Sequence, residues 1–200
     1  MAFRDIIMSI FSYLLGCINT GYYYVKIIYG VDVREKGTKV TGAMNVSRIA
    51  GKKGFLITFL GDAMKGGIVV LLSRLLGLED ISLMLCMLMV IVGHIFPIQL
   101  KFQGGKGIST AFGAILAFHP VIIIYLILLC AVLLPFIKQY TITSLIALFV
   151  LPIILFWLSY SRQVIGFFVL YAIMISFACK DNWKNYFVHK QYHGRLIIKK

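Results

Sequence analysis

Seven apolar segments, separated by polar stretches, set the main constraint on the fold of this 200-residue chain. In order they are Ile6–Tyr24, Phe55–Leu76, Ile81–Ile98, Ile108–Phe118, Val121–Ile137, Ile142–Leu158 and Gly166–Cys179. Apolar residues make up 60% of the chain, which is well above the share in a soluble domain. Because a membrane-spanning helix needs about 20 apolar residues, the pattern predicts an all-α polytopic membrane protein. Residues 1–200 are expected to form a single membrane-embedded domain.

Basic residues between these segments predict the orientation of the chain. They concentrate in Lys26–Lys53, Lys101–Lys106 and Lys180–Lys200, and such loops face the cytoplasm in membrane proteins. The chain must then cross the membrane an even number of times between the second and third regions. This requires the short segment Ile108–Phe118 to count as a span. We therefore expect seven transmembrane helices, with the N-terminus outside, the C-terminus in the cytoplasm and one short helix after a glycine-rich loop.

The net charge of +13 does not by itself predict a nucleic-acid partner. The positive-inside pattern and contact with anionic lipids account for most of the basic residues. The four cysteines lie within or at the end of apolar segments and form no CxxC pair, which disfavours a metal site or a disulfide framework.

A glycine-rich loop around Lys106 is the strongest candidate for a binding site. Gly104, Gly105 and Gly107 surround the lysine and permit a sharply turned backbone with N–H groups that converge on one point. Such a loop with an ammonium group suits a phosphate. It is not a P-loop, because the four-residue spacer before Gly-Lys-Ser/Thr is missing. The alternative interpretation is a polar turn between two membrane helices.

A second candidate region lies between the first two apolar segments. Glycines, hydroxyls and an amide occur together in Gly37–Asn45, and Arg48 follows shortly after. These groups predict a surface that binds an oxyanion. Within the next apolar segment, Asp62 and Lys65 are three residues apart and share one helical face. They form either part of a functional site or an ion pair that stabilises the helix bundle.

Taken together, these motifs resemble the bacterial PlsY family of glycerol-3-phosphate acyltransferases. The resemblance is carried by Gly21-Tyr22, Asp32-x-Arg34, Gly37 through Arg48, Asp62-x-x-Lys65-Gly66, Gly93-His94-x-Phe96-Pro97 through Gly113 and, more loosely, His189–Leu196. It implies seven spans in the bacterial cytoplasmic membrane, with the active site on the cytoplasmic side. It also implies transfer of a fatty acyl group from acyl-phosphate to glycerol 3-phosphate, which yields lysophosphatidate and phosphate. No metal, acyl-CoA or other cofactor is implied.

The resemblance leads to a hypothesis for the site residues. Lys106, with Gly104, Gly105, Gly107, Ser109 and Thr110, is expected to bind the phosphate of the acyl-phosphate. Thr38, Asn45 and Arg48 are expected to hold the acceptor, and His94 and His189 to handle protons or bind phosphate. Asp62 and Lys65 are expected to support the substrate site, and Arg195 to bind substrate.

Several residues depart from the family pattern and leave other functions open. Lys39, Val40 and Met44 replace Gly, Asn and Thr in the family's first motif, Cys17 and Asn19 replace Ser and Pro in the turn before the first loop, Tyr192 replaces Asn in the tail, and the tail's closing Gly-x-Glu is absent. One alternative is an enzyme of the same fold that acylates a different hydroxyl acceptor. Another is a non-catalytic protein that binds or transports a phosphorylated molecule or lipid.

Overall fold

The computed structural model describes residues 2–180 and residue 182, and this part of the chain is helical. The helices are α1 (Phe3–Cys17), α2 (Thr20–Tyr29), α3 (Ala43–Leu75), α4 (Asp80–Ile95), α5 (Ile108–Phe118), α6 (Pro120–Ile137), α7 (Tyr140–Trp157) and α8 (Arg162–Ala178). Single 3-10 turns occur at Val33–Glu35 and Ile98–Leu100. The all-α prediction is therefore confirmed for the described residues.

Five stretches within the described residues are long and apolar enough to cross a membrane. They are Phe3–Tyr29, Ala43–Leu75, Asp80–Leu100, Pro120–Ile137 and Tyr140–Trp157. Two further apolar helices, Ile108–Phe118 and Arg162–Ala178, are shorter. The short helix predicted after the glycine-rich loop has the expected bounds.

Two helices differ from the sequence prediction. The first apolar segment is not one helix, because Ile18 and Asn19 adopt extended backbone angles and separate α1 from α2. The helix predicted to begin at Phe55 begins at Ala43 and is kinked at Gly51, where φ is 62° and ψ is −159°. Only glycine adopts this conformation readily. The loop between α2 and α3 is correspondingly shorter than the polar composition of the sequence suggests.

The chain divides into two compact units, Met1–Ile123 and Ile124–Lys200. In the first unit, α1 packs against α4, and α3 packs against both α2 and α5. In the second unit, α7 packs against α8. Every candidate site residue that the structure describes belongs to the first unit.

Glycines bring the helices of the first unit close together. A Cβ atom at Gly66 would collide with the carbonyl oxygen of Thr110, and one at Gly113 with the carbonyl oxygen of Ala63. Helices α3 and α5 therefore approach backbone to backbone, which is common where membrane helices pack through small residues. This close packing fixes the start of α5, where the glycine-rich loop ends.

Candidate active site

Three ionisable residues form a buried cluster beside the break between α1 and α2. Lys65 Nζ lies 3.0 Å from Asp62 Oδ1 and 2.8 Å from His94 Nδ1. The ammonium also donates to the carbonyl oxygens of Gly16 and Ile18, which belong to the unpaired carbonyls at the end of α1. Asp62 in turn accepts a hydrogen bond from the N–H of Thr20, at the start of α2. The cluster thus joins α3 and α4 to both ends of the break.

Contact with a charged Lys65 favours one tautomer of His94. A buried carboxylate such as that of Asp62 requires a cation, and Lys65 supplies it. Because the charged ammonium faces Nδ1, this nitrogen accepts, so the neutral ring carries its hydrogen on Nε2. Nε2 faces Gly105, where a Cβ atom would collide with it. The predicted association of Asp62 and Lys65 is therefore a buried ion pair, and His94 lies beneath the glycine-rich loop.

The glycine-rich loop is attached to the end of α4 through its main chain. The N–H groups of Gly104 and Gly105 donate to the carbonyl oxygens of Ile95 and His94, at 3.1 and 3.0 Å. These two N–H groups therefore already have main-chain partners, and the hypothesis that they bind a phosphate stays a prediction. The two glycines allow the loop to approach α4 more closely than a side chain would permit.

The start of α5 provides other donors next to Lys106. Gly107 caps this helix with a left-handed backbone, at φ 81°. The first N–H groups of a helix have no partner within it and favour anions. Ser109 and Lys106 are partly exposed there, whereas Thr110 is completely buried. The side chain of Thr110 is enclosed between the helices, whereas its N–H is one of the first three of α5; its role in binding substrate stays a prediction.

Asn45 organises the first loop, residues 30–42, from within. Its side-chain amide donates to the carbonyl oxygens of Val33, Lys36 and Val40 and accepts from the N–H of Thr38 at 2.8 Å. The residue is 1% exposed. The amide is thus engaged by the backbone of the first loop, and the hypothesis that Asn45 holds the acceptor stays a prediction. Asn45 shapes the loop that presents other groups.

Arg48 and Thr38 are the exposed polar residues of this region that the sequence predicted as ligands. The guanidinium of Arg48 passes beside Gly37, whose φ of 55° brings the backbone of the first loop close to it. A Cβ atom at Gly37 would collide with Asn45 Oδ1. The glycine therefore permits Arg48 and Thr38 to lie on the surface over a buried Asn45.

Hydrogen bonds join the first loop to the glycine-rich loop, which we define as residues 101–107. The N–H of Thr41 donates to the carbonyl oxygen of Gly104 at 3.3 Å. Arg34 donates to the carbonyl oxygen of Leu100 at 2.8 Å and pairs with Asp32 through bonds of 2.6 to 3.2 Å. The two glycine-bearing loops of the sequence are therefore adjacent in the structure.

Sequence reasoning missed the structural roles of Arg34 and Thr41. Asp32-x-Arg34 was part of the family resemblance, but neither residue was assigned to the site. The Arg34 guanidinium holds the pKa of the Asp32 carboxyl below its usual value, while the carboxyl raises the pKa of Arg34. An acid two residues before an arginine was the available signal for this pair. Two further predicted site residues, His189 and Arg195, lie outside the described residues, as does Tyr192.

Comparison with known proteins identifies the family. The sequence profile of the family described as glycerol-3-phosphate acyltransferase matches residues 6–189. Glycerol-3-phosphate acyltransferase 1 of Desulfitobacterium hafniense is 41% identical over 150 residues, covering 75% of this chain and 74% of the relative. The enzyme of the same name from Bacillus thuringiensis is 39% identical over 170 residues, covering 85% and 93% of the two chains.

Two solved structures of PlsY, an integral membrane glycerol 3-phosphate acyltransferase, have the same fold. The glycerol 3-phosphate form superposes with a TM-score of 0.82 at 28% identity and covers 96% of this chain and 94% of its own. The lysophosphatidic acid form gives a TM-score of 0.79 at 29% identity, with coverage of 96% and 93%. The chain is therefore a multi-pass membrane acyltransferase that belongs to the glycerol-3-phosphate acyltransferase family of the PlsY type.

Proposed function

We propose that this protein transfers a fatty acyl group from an acyl-phosphate to the sn-1 hydroxyl of glycerol 3-phosphate. The hydroxyl oxygen attacks the acyl carbon, the bond from that carbon to the phosphate oxygen breaks, and the hydroxyl proton ends on the released phosphate. The products are lysophosphatidate and hydrogen phosphate. The single observation that carries this proposal is the hydrogen bond from Thr41 to Gly104, because it joins the two loops that we propose to bind anions. Two phosphate-bearing substrates need two such regions side by side.

Lys106 and the first N–H groups of α5 are proposed to hold the phosphate of the donor. An ammonium and helix N–H groups stabilise the negative charge that accumulates on a leaving phosphate. Arg48 and Thr38 are proposed to hold the phosphate of the acceptor, since both are exposed and lie over Asn45 next to Gly37 of the first loop. An acyl-phosphate already contains a good leaving group, so positioning and charge stabilisation supply much of the catalysis without an enzyme nucleophile.

The proposed topology has seven spans, with the N-terminus outside, the C-terminus inside and the site at the cytoplasmic face of a bacterial inner membrane. The five long helices and two shorter apolar helices supply seven segments. The basic residues near the site support this orientation through the positive-inside rule. Single cysteines at the exposed positions Lys53 and Glu79 test it. A membrane-impermeant thiol reagent added to intact cells should label Glu79→Cys and leave Lys53→Cys unlabelled, and the reverse pattern would exclude this topology.

Purified protein with an acyl-phosphate and glycerol 3-phosphate tests the activity directly. We expect the wild type to release phosphate and lysophosphatidate in equal amounts. In Lys106→Ala both rates should fall by about 100-fold or more, because the variant lacks a group that stabilises charge in the transition state. Lys101→Ala is the matched control, because this exposed lysine also belongs to the glycine-rich loop. Equal rates in wild type and Lys106→Ala would exclude the proposed role of Lys106.

A different hydroxyl acceptor is the second candidate, and Met44 favours it. Its side chain is 60% exposed in the first turn of α3, directly after the first loop. An exposed apolar side chain at this point changes the surface that faces an acceptor. A panel of hydroxyl acceptors tests the two functions. Slow turnover of glycerol 3-phosphate with fast turnover of a less polar alcohol would support the function with a different acceptor.

A further inference from the structure

We propose that Thr41, held by Asn19, is a positioning residue that sets the spacing between the two substrate loops. The inference rests on the proposed function, because spacing matters only if each loop holds one reactant. Neither residue was assigned a role from the sequence. Neither is expected to touch a substrate, since both are 0% exposed.

Thr41 is bonded on two sides. Its hydroxyl donates to Asn19 Oδ1 at 2.6 Å, and its N–H donates to the carbonyl oxygen of Gly104 at 3.3 Å. Its carbonyl oxygen lies against Gly21, where a Cβ atom would collide with it. Thr41 is therefore fixed both to the start of α2 and to the glycine-rich loop.

Asn19 holds this arrangement in one orientation. Its Nδ2 donates to the carbonyl oxygen of Cys17 at 3.1 Å, so its Oδ1 faces the hydroxyl of Thr41. The same carbonyl also accepts from the side-chain amide of Gln99, just before the glycine-rich loop. Lys65 binds the neighbouring carbonyl of Ile18. The break between α1 and α2 thus serves as a rigid base to which both loops are attached.

The position of Thr41 in the sequence makes it a suitable spacer. It lies three residues after Thr38 and shortly before Arg48, while its partner Gly104 lies two residues before Lys106. A shift at Thr41 therefore changes the distance between the proposed acceptor and donor groups while each group stays on its own loop. Acyl transfer needs the reacting atoms about 3–3.5 Å apart, and a displacement of about 1 Å costs up to ~100-fold in rate.

The inference predicts a separation of kinetic parameters. Thr41→Val keeps the shape of the side chain but removes the hydroxyl. We expect kcat to fall by about 10- to 100-fold, with less than about threefold change in KM for either substrate. Thr41→Ser restores the hydroxyl and should recover most of kcat. Asn19→Leu should lower kcat about as much as Thr41→Val does. The kcat of the double variant should be no lower than that of either single variant, because each of the three removes the bond between the Thr41 hydroxyl and Asn19.

Thr143→Val is the matched control. Thr143 is also a buried threonine, its hydroxyl donates to the carbonyl oxygen of Gln139 at 3.0 Å, and it belongs to the second unit. Its replacement removes one buried hydroxyl bond from the second unit, whereas both loops belong to the first unit. We expect its kcat to match the wild type.

The outcomes separate this inference from the proposed function. A wild type with no transfer between acyl-phosphate and glycerol 3-phosphate overturns both. An active wild type in which Thr41→Val and Asn19→Leu retain the kcat of Thr143→Val overturns the inference alone. A rise in KM with an unchanged kcat also overturns the inference, since that result indicates weaker substrate binding rather than altered spacing of the loops. If Thr41→Val does not fold, Asn19→Leu, which keeps the side chain of Thr41, decides between these outcomes.

Discussion

Lys65 Nζ lies 2.8 Å from His94 Nδ1, and both side chains are buried within the helix bundle. This contact links α3 to the end of α4, from which the glycine-rich loop departs. His94 also accepts the N–H of Gly105 through its main-chain oxygen. The buried ammonium therefore helps to hold the end of α4, to which the main chain of Gly104 and Gly105 is hydrogen-bonded.

Replacing Lys65 alone should be more harmful than replacing it together with Asp62. Lys65→Met leaves a buried carboxylate without a cation, which costs about 3–5 kcal/mol. The double variant Asp62→Asn/Lys65→Met contains no unpaired charge and should recover part of this loss. Chemical unfolding of the purified protein in detergent measures both. Lys53→Met, at an exposed lysine, serves as the control and should remain close to wild type. Additive effects of the two replacements would contradict an ion pair.

Two adjacent glycines of α3 should respond differently to alanine. A Cβ atom at Gly66 collides with the carbonyl oxygen of Thr110, whereas one at Gly67 meets only the carbonyl oxygen of Gly113, at 3.6 Å. Gly66→Ala must therefore displace the start of α5, with Lys106 beside it, and should reduce activity by about tenfold or more if the displacement approaches 1 Å. Gly67→Ala should keep full activity and should stabilise the helix by up to ~1 kcal/mol.

Activity assays and thermal unfolding of the two alanine variants provide the comparison. The replacements are one residue apart and chemically identical, so only the contact with α5 differs. Equal activity of Gly66→Ala and Gly67→Ala would show that α5 moves without consequence for the site.

The sequence was sufficient for the fold class because composition and helix length are local properties. The bounds of α5 followed from a short apolar run between Gly107 and His119. The role of Asn45 could not be predicted in the same way, since an amide next to a loop that contains glycines is the same in sequence whether it faces a ligand or the protein backbone. Its four hydrogen-bonding partners became evident only from the path of the first loop. Thr41 was missed for the same reason, because its partners Asn19 and Gly104 are distant in sequence.

Removal of the Asn45 side chain should destabilise the first loop and lower the free energy of unfolding. Asn45→Ala leaves the carbonyl oxygens of Val33, Lys36 and Val40 without this donor. Loss of partners for buried groups costs about 1–3 kcal/mol each, so the free energy of unfolding should fall by at least about 2 kcal/mol. Gln103→Ala removes an exposed amide from the glycine-rich loop and is the control. An Asn45→Ala variant as stable as Gln103→Ala would indicate that the loop does not depend on this amide.

The pair of Asp32 and Arg34 should make stability depend on pH in acid. Hydrogen bonding to Arg34 lowers the pKa of Asp32 in the folded protein. A carboxyl whose folded pKa is depressed contributes stability above its unfolded value of about 3.9, and this contribution is lost as pH falls through the folded pKa. Asp32→Asn should therefore be less stable than wild type at pH 5–8, with the difference shrinking below about pH 4. Unfolding measured across this range tests it, and a constant difference at every pH would contradict it.

Lys39 should tolerate glycine better than its neighbour Lys36 does. The backbone of Lys39 is left-handed, at φ 58°, whereas Lys36 has an ordinary extended backbone at φ −119°. A left-handed residue with a Cβ atom costs about 1–2 kcal/mol, and Lys39→Gly removes this strain. Glycine also makes the unfolded chain more flexible, at a cost of about 0.5–1 kcal/mol. The net effect at Lys39 should be neutral or stabilising by up to ~1 kcal/mol.

The same replacement at Lys36 incurs only the cost of flexibility and should destabilise by about 0.5–1 kcal/mol. Both lysines are exposed in the same loop, so the two variants lose the same charge and differ only in backbone conformation. Unfolding in detergent at one pH and salt concentration gives the comparison. If Lys39→Gly loses as much stability as Lys36→Gly, the backbone at Lys39 is not strained. Because glycine stands at this position in the family pattern, a stable Lys39→Gly variant with altered KM for either substrate would identify the lysine as a functional rather than a structural departure.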